Sequence, residues 1–214
     1  MMLKSVLFIV LCSIIIIEGK LGVDISSSST ESDWKCLKGK GYELAVIRCW
    51  ESIGQPDPNA AASVIGAWAG GMKYVDVYIF PCYSCGNGYG QVQSAIKDLQ
   101  SKKAKFGTVW FDIEGPGIYW SSSQSDNQKF FEDMVSGAEK LGVSIGIYTS
   151  ESQWVPIMGD YTGGSAYKLW YAHYDDNPSF SDFTPFGGWK SPHMKQWDDN
   201  GNDCGLGYDK NYFE

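Results

Sequence analysis

Short runs of β-branched and aromatic residues recur through the whole sequence and limit the folds that it can adopt. Several of these runs are almost continuously apolar, which is typical of strands buried on both faces in a parallel sheet. Eight runs are predicted to be strands: Leu21–Ile25, Leu44–Cys49, Tyr74–Phe80, Thr108–Ile113, Val143–Tyr148, Lys168–His173, His193–Trp197 and Leu206–Asp209.

Helix-like segments separate the early strands, and the pattern changes towards the end of the chain. The predicted helices are Thr30–Lys40, Pro58–Ala69, Tyr89–Lys103 and Ser125–Leu141. The first five strands alternate with helices at about one βα unit per thirty residues, whereas the last three strands follow one another closely. This pattern predicts an α/β fold, either a barrel or an open doubly wound sheet. No G-x-G-x-x-G sequence opens a helix after a strand, which disfavours a dinucleotide-binding sheet.

The first nineteen residues have the character of a signal peptide. Lys4 gives a positive start, and the apolar stretch Ser5–Ile17 is thirteen residues long. A membrane-spanning helix needs about 20 residues, so we expect cleavage after Gly19 rather than an uncleaved anchor. Residues 20–214 are then expected to be one secreted domain with no membrane attachment, and a monomer.

The cysteines are interpreted in the light of that secretory route. Five remain after cleavage: Cys36, Cys49, Cys82, Cys85 and Cys204. Oxidising surroundings favour disulfides, and an odd number allows two bridges and one free thiol, with the pairing left open. The Cys82–Cys85 spacing also occurs in zinc and redox sites, but no second pair of ligands stands at a suitable spacing. We therefore expect structural disulfides, no metal and no cofactor.

The charge balance excludes one class of partner. The chain has 17 Lys and Arg against 25 Asp and Glu, a net charge of −8. A protein that binds nucleic acid through its phosphates needs clustered cations, and the sequence does not supply them. Nucleic acid is therefore not an expected partner.

Carboxylates stand at the ends of three predicted strands. Asp24 ends the first, Asp112 and Glu114 end the fourth, and Asp209 ends the eighth. Because side chains alternate along a strand, Asp112 and Glu114 share one face and are about 6–7 Å apart. Neighbouring carboxyls raise one another's pKa, so one of them can hold the proton that glycoside cleavage requires. At one mouth of a barrel, such a group predicts a glycosidase site.

The chain resembles the muramidases of glycoside hydrolase family 25 from Leu21 to Phe213. The motifs that carry the resemblance are, in chain order, Gly22-Val23-Asp24-Ile25-Ser26, Asp33-Trp34, Tyr78-Ile79-Phe80-Pro81, Phe111-Asp112-Ile113-Glu114, Gly146-Ile147-Tyr148-Thr149, Leu169-Trp170-Tyr171-Ala172, Gln196-Trp197 and Asp209-Lys210-Asn211-Tyr212-Phe213. The resemblance implies a modified TIM-like barrel of five βα units followed by three strands. It also implies hydrolysis of the β-1,4 bond between N-acetylmuramic acid and N-acetylglucosamine in bacterial peptidoglycan.

The resemblance also assigns roles to the acidic residues. Glu114 looks like the general acid, and Asp112, Asp24 and Asp209 look like the other active-site carboxylates. Asp112 either attacks the anomeric carbon or orients the 2-acetamido group of the substrate, which the family favours as the nucleophile. The chain departs from the family pattern after the first strand, at Arg48–Glu51 and at Ile79, where a histidine is common.

Four aromatic residues in or beside these motifs are candidate sugar-binding groups: Tyr78, Tyr148, Trp170 and Trp197. Ligands bind at this end of a barrel, although aromatics also pack in cores. The alternatives to a lysozyme are a non-catalytic peptidoglycan- or chitin-binding barrel and a chitinase-like enzyme. The acids Asp112 and Glu114 favour catalysis, and the residues before Asp112 lack the alternating acids of chitinases. A secreted, phagosomal or lysosomal enzyme for antibacterial defence or digestion of bacteria is the expectation.

Overall fold

The computed structural model describes residues 19–214. The predicted signal peptide lies outside the described residues, except for Gly19 at its proposed cleavage site. Within the described part of the chain, no helix has the length and apolar character needed to cross a membrane.

The chain folds into nine strands, five α-helices and two short 3-10 helices within residues 19–214. The strands are β1 (Lys20–Ile25), β2 (Tyr42–Glu51), β3 (Gln55–Pro56), β4 (Tyr74–Ile79), β5 (Thr108–Asp112), β6 (Ser144–Thr149), β7 (Lys168–Ala172), β8 (Met194–Asp203) and β9 (Leu206–Phe213). The helices are α1 (Glu31–Gly39), α2 (Ala60–Ala69), α3 (Gly88–Ser101), α4 (Gln124–Leu141) and α5 (Glu151–Met158).

Eight of the strands close into a barrel. Their order is β1-β9-β8-β7-β6-β5-β4-β2, and pairing between β1 and β2 completes the ring. Strand β9 is antiparallel to both of its neighbours, and the other neighbouring strands in the ring run parallel. The predicted barrel of five βα units and three further strands is confirmed, and the open sheet is excluded.

Four elements differ most from the sequence prediction: the short strand β3, the helix α5 and the last two strands. Helix α5 was not predicted, because Pro156 lies inside it and a proline normally interrupts a helix. The last two strands extend to Asp203 and Phe213, beyond the predicted ends. They form a long hairpin of mostly polar residues, which lacks the apolar runs used to find strands.

The alternation of side chains along each strand divides the apolar residues into two cores. One fills the barrel and contains Leu44, Val46, Trp110, Tyr148, Trp170, Met194 and Phe213. The other lies between the strands and the helices, where Phe111 of β5 meets Phe131 of α4 with ring centroids 6.3 Å apart. As predicted, Phe111 and Ile113 pack outwards while Trp110 points into the barrel.

Two disulfides are present, and Cys49 is the free, buried thiol among the described cysteines. Cys36 of α1 is bonded to Cys204 in the turn between β8 and β9, across 168 residues of sequence. Cys82 is bonded to Cys85, three residues further on. The sequence-based expectation of two bridges and one thiol is confirmed.

Removal of the Cys36–Cys204 bridge should destabilise the barrel far more than removal of the short one. A cross-link that closes a long loop restricts the unfolded chain and typically contributes about 2–4 kcal/mol. Urea unfolding of the Cys36→Ser/Cys204→Ser variant should show a loss of that size. The Cys82→Ser/Cys85→Ser variant is the matched control, and an equal loss in both would contradict the loop-length argument.

Candidate active site

Four carboxyl groups meet at the mouth of the barrel. Asp24 is next to last in β1, Asp112 ends β5, Glu114 follows two residues later, and Asp209 lies in β9. These four line one cavity of about 70 Å³ together with Tyr78, Tyr148, Trp170 and Gln196. A single water needs only about 10–15 Å³ of such volume, so the cavity has room for a substituent of a ligand. Seven of the eight predicted site residues therefore lie together.

The strand register explains why the acids converge. Asp24 and Asp209 are directly paired in the antiparallel ladder between β1 and β9. Asp112 is paired with Tyr148 in the parallel ladder between β5 and β6. Each carboxyl continues the row of side chains that face the barrel interior from its strand. It therefore lies above the aromatic residues that fill the barrel.

Aromatic rings form the floor of this cavity. The Tyr148 and Trp170 rings are 4.5 Å apart at their centroids in an edge-to-face arrangement. Trp170 also contacts Trp110 at 5.7 Å and Tyr78 at 6.5 Å. Trp170 is fully buried and packs in the barrel core as well as lining the cavity. Such packing holds the floor rigid beneath the carboxyls.

Trp197 is the predicted site residue that the structure does not bring to the cavity. On β8 it is Gln196 that points into the cavity, and Trp197 lies at an irregularity of the ladder between β8 and β9. The Trp197 ring is covered instead by the ammonium of Lys210, 5.2 Å from its centroid. Trp197 therefore lies outside the residues that line this cavity, and its role in sugar binding stays a prediction.

Asp24 is held firmly by two amide groups. Gln196 Nε2 donates to Asp24 Oδ1 at 2.9 Å, and Asn211 Nδ2 donates to the same oxygen at 2.7 Å. The indole of Trp170 donates to Asn211 Oδ1 at 2.8 Å. Because an indole N–H can only donate, it fixes which end of the Asn211 amide faces Asp24.

Glu114 is positioned through its backbone. Its carbonyl oxygen accepts a hydrogen bond from the indole of Trp120 at 3.0 Å, and the next N–H, of Gly115, donates to Gln153 Oε1 at 2.8 Å. Gly115 has a φ of 73°, a conformation that glycine adopts readily and other residues do not. The segment that leaves β5 is thus tied to α5, and the Glu114 side chain remains half-buried at the mouth.

The four carboxyls all have raised pKa values. Burial is the main cause in each case, so the charged form of the carboxyl is disfavoured. The pKa of Asp24 and that of Asp112 lie well above the usual range, and the charges of nearby acids add to the effect of burial. Burial and the charges of Asp199, Asp198 and Glu114 raise the pKa of Asp209 to about 6. Such a group of carboxyls retains protons at mildly acidic pH.

Asp112 has a buried oxygen without a partner. Its side chain is almost fully buried, and Oδ1 makes no hydrogen bond to any described residue. An unsatisfied buried acceptor is destabilising unless a ligand supplies the donor. The oxygen belongs to a residue that lines the cavity, so a bound substrate could supply the missing N–H or O–H.

Sequence reasoning missed three residues that the structure places around the carboxyls: Gln196, Asn211 and Tyr174. Gln196 and Asn211 stood within motifs that carried the family resemblance, and alternation along β8 and β9 was the signal that pointed them inwards. Tyr174 lies in the irregular segment after β7, and its hydroxyl donates to Gln196 Oε1 at 2.8 Å. No sequence pattern indicated that contact.

A second acidic cluster lies outside the cavity, where His173, Asp175 and Asp182 could in principle share a metal ion. The ammonium of Lys195 already occupies its centre, 2.8 Å from both oxygens of Asp175 and 2.8 Å from Asp182 Oδ1. A buried lysine therefore supplies the positive charge that a metal ion would bring to this cluster.

Comparisons with known proteins agree with this architecture. A family model described as Lysozyme-like protein 1 matches residues 17–197. The chain is 57% identical over 192 residues to "Probable GH family 25 lysozyme 2" of Dictyostelium discoideum, and the match covers 90% of each chain.

Solved structures share the fold. A family GH25 lysozyme from Aspergillus fumigatus has a TM-score of 0.76 at 22% identity, over 92% of this chain and 94% of that one. The modular autolysin LytC from Streptococcus pneumoniae, solved with a synthetic peptidoglycan ligand, has a TM-score of 0.74 at 15% identity, over 92% of this chain and 47% of that one. From its family-model match and its close relative, the chain belongs to glycoside hydrolase family 25, the lysozyme family, and is a glycoside hydrolase.

Proposed function

We propose that this glycoside hydrolase is a secreted lysozyme that cleaves the β-1,4 bond between N-acetylmuramic acid and N-acetylglucosamine in bacterial peptidoglycan. The observation that carries the proposal is the group of four carboxyls with raised pKa values at one mouth of the barrel. Glycoside cleavage needs a carboxyl that is protonated at the working pH and a second one that stabilises the positive charge developing on the sugar.

In this mechanism Glu114 is the general acid. It follows β5 and is more exposed than Asp112 at the end of that strand, so it can reach the glycosidic oxygen of a substrate lying across the mouth. Burial raises its pKa, which keeps the transferable proton available. Asp112 lies deeper, and its unpartnered oxygen is suited to accept the N–H of the 2-acetamido group of the substrate. That contact would orient the acetamido oxygen towards the anomeric carbon.

The stereochemistry of the first product tests this assignment. The acetamido oxygen first displaces the leaving sugar from the anomeric carbon, and water then displaces the acetamido oxygen. Each displacement inverts the configuration of that carbon, so the β configuration is retained after both. Proton NMR of a fresh digest of peptidoglycan glycan chains should therefore show the β-anomer first. An initial α-anomer would exclude both the acetamido route and direct attack by Asp112. Reducing-end assays on chitin and on peptidoglycan, run in parallel, separate this proposal from a chitinase-like activity.

The competing proposal is a barrel that binds sugars without cleaving them. It would keep the aromatic floor of Tyr148 and Trp170 but would not need a protonated acid beside it. If the purified protein binds peptidoglycan and releases no reducing ends over a broad pH range, the non-catalytic barrel is the correct function.

The acidic character of the protein supports work in an acidic compartment such as a phagosome, a lysosome or a gut lumen. A chain with a net charge of −8 is repelled by anionic cell walls at neutral pH. The repulsion weakens as carboxylates become protonated towards about pH 4–5.

We therefore expect an acidic pH optimum for peptidoglycan cleavage. The raised pKa of Glu114 keeps it protonated to higher pH than a free glutamate, and activity falls once the pH rises through that value. A rate profile at fixed ionic strength measures this. An optimum at about pH 7.5 or above would contradict the acidic compartment and leave the catalytic residues unaffected.

A further inference from the structure

The side-chain amide of Gln196 uses all of its hydrogen-bonding capacity within the site. Its oxygen accepts from the hydroxyl of Tyr148 at 2.6 Å and from that of Tyr174 at 2.8 Å. Its nitrogen donates to Asp24 Oδ1 at 2.9 Å and to Asp209 Oδ2 at 3.0 Å. An amide has two donor hydrogens and two acceptor lone pairs, so no group remains to bind a sugar.

The orientation of the Gln196 amide sets the direction of these hydrogen bonds. With the amide in this orientation, both tyrosine hydroxyls donate, and both carboxyl oxygens accept. Asp24 Oδ1 and Asp209 Oδ2 therefore act as acceptors in this arrangement, and a proton on either group is favoured at its other oxygen. Asp24 Oδ1 also accepts from Asn211, whose own orientation is fixed by Trp170.

The other two carboxyls of the cavity receive no such donors. Asp112 Oδ1 is unpartnered, and the hydrogen bonds found for Glu114 within residues 19–214 involve its backbone carbonyl alone. Hydrogen bonds that are donated to a carboxylate favour its ionised form. The network therefore divides the four acids into a pair that is supplied with donors and a pair that is not.

We propose that Gln196 is a positioning residue that distributes protons within the site. Its two donated hydrogen bonds oppose the protonation of Asp24 and Asp209 and so bias the mobile proton of the four carboxyls towards Asp112 and Glu114, where cleavage needs it. Tyr148 and Tyr174 act through Gln196, since their hydroxyls fix the orientation of its amide. The role rests on the proposed lysozyme function of the same cavity.

Several charged and titratable groups surround Asp24 and Asp209 and act on them besides Gln196. They are Tyr78 of β4, Asp112 of β5, Glu114 after it, Tyr174 after β7, and Asp198 and Asp199 of β8. Arg48 of β2 acts on Tyr78, and Tyr148 of β6 is acted on by Glu114 and Asp112. Burial raises the pKa of Asp24, whereas the hydrogen bonds from Asn211 and Gln196 lower it. Removing the Gln196 donor should therefore raise the pKa of Asp24 further.

The test is the pH profile of peptidoglycan cleavage by a Gln196→Met variant, which keeps the length of the side chain and removes every hydrogen bond. We expect kcat to fall by about 10- to 100-fold, because two hydrogen bonds to charged groups are lost. KM should change little, since the amide has no free group for the substrate. The acidic limb of the profile should move up by about one pH unit as Asp24 and Asp209 gain protons more readily.

Two further variants keep the proposal testable if the methionine variant folds poorly. Gln196→Glu retains acceptors for both tyrosines but, when ionised, cannot donate, so the limb should move in the same direction. Tyr174→Phe removes one hydroxyl from a half-exposed ring and should give a smaller shift of the same sign. Gln93→Met is the matched control, since Gln93 is a buried glutamine whose amide donates to Gly137 O at 2.6 Å between α3 and α4. The acidic limb of the pH profile of Q93M should not move.

A loss of rate in Q196M with an unmoved acidic limb would reduce Gln196 to a packing residue and overturn the proposal. A carboxyl-carbon NMR titration of the wild type and Q196M reads the protonation of Asp24 and Asp209 without any substrate. It should show both groups titrating at higher pH in the variant. Unchanged titration overturns the proton distribution, whereas an inactive wild type with a shifted titration overturns the proposed lysozyme function alone.

Discussion

Replacement of Glu114 by glutamine should reduce the rate of peptidoglycan cleavage by about 10²- to 10⁴-fold, the range that a positioned general acid contributes. The amide has the shape of the carboxyl but no proton to give to the leaving oxygen. The backbone contacts that hold this residue, from Trp120 to its carbonyl and from Gly115 to Gln153, do not involve its side chain. The fold should therefore survive the substitution.

Turbidity clearing of a peptidoglycan suspension measures the effect, with thermal unfolding run alongside to confirm that the barrel is intact. Glu31→Gln is the matched control, because Glu31 is an exposed glutamate in the first turn of α1. The control should retain full activity. If E114Q kept more than half of the wild-type rate, Glu114 would not be the acid.

The parts of the site that could be predicted from the sequence are those that a short local pattern determines. Alternation on β5 predicted that Phe111 packs against the helices while Asp112 faces the mouth, and the structure agrees. Buried apolar runs located the strands because both faces of a parallel barrel strand are covered.

The remaining contacts depend on residues that are distant in sequence. Gln196 meets Asp24 across 172 positions, and Trp170 meets Asn211 across 41. Contacts between residues so far apart in sequence produce no local pattern. Alternation along β8 can therefore place Gln196 on an inward face, but it cannot identify the partners of Gln196. Tyr174 lies in irregular structure, where no periodicity fixes the direction of a side chain.

The segment that carries Tyr174 is fastened to the barrel by a buried lysine. The Lys195 side chain is fully buried on β8, next to Gln196, and it bonds Asp175, Asp182 and the carbonyl of Asn177. Burial opposes ionisation of Asp182, but hydrogen bonds from Lys195, His173 and Tyr171 outweigh it and lower the pKa of Asp182 to about 2. The ionised Asp182 carboxylate therefore stabilises the folded protein fully above the pKa of an unfolded aspartate, about 3.9. This stabilisation is lost as the pH falls towards 2.

Neutralising the partners of Lys195 should be among the most destabilising changes in the protein. In the Asp175→Asn/Asp182→Asn variant the ammonium stays buried without a counter-charge, and breaking a buried pair in this way costs about 3–5 kcal/mol. Lys195→Met removes the buried charge and leaves two carboxylates whose side chains are 23% and 18% exposed and can be hydrated. We expect the Lys195→Met variant to lose much less free energy of unfolding, because an apolar side chain of similar volume replaces the buried ion.

Urea unfolding at neutral pH compares the free energies of unfolding of the two variants. The comparison holds when the slope of free energy against urea concentration is the same in both. Equal losses in the two variants would mean that the hydrogen bonds of Lys195, rather than its charge, dominate. The wild type should also lose stability between about pH 4 and 2 more steeply than the double variant, whose amides do not titrate.

Because the same lysine holds the segment from His173 to Asp182, the double variant should free Tyr174 from Gln196 and lower cleavage activity even below its unfolding temperature.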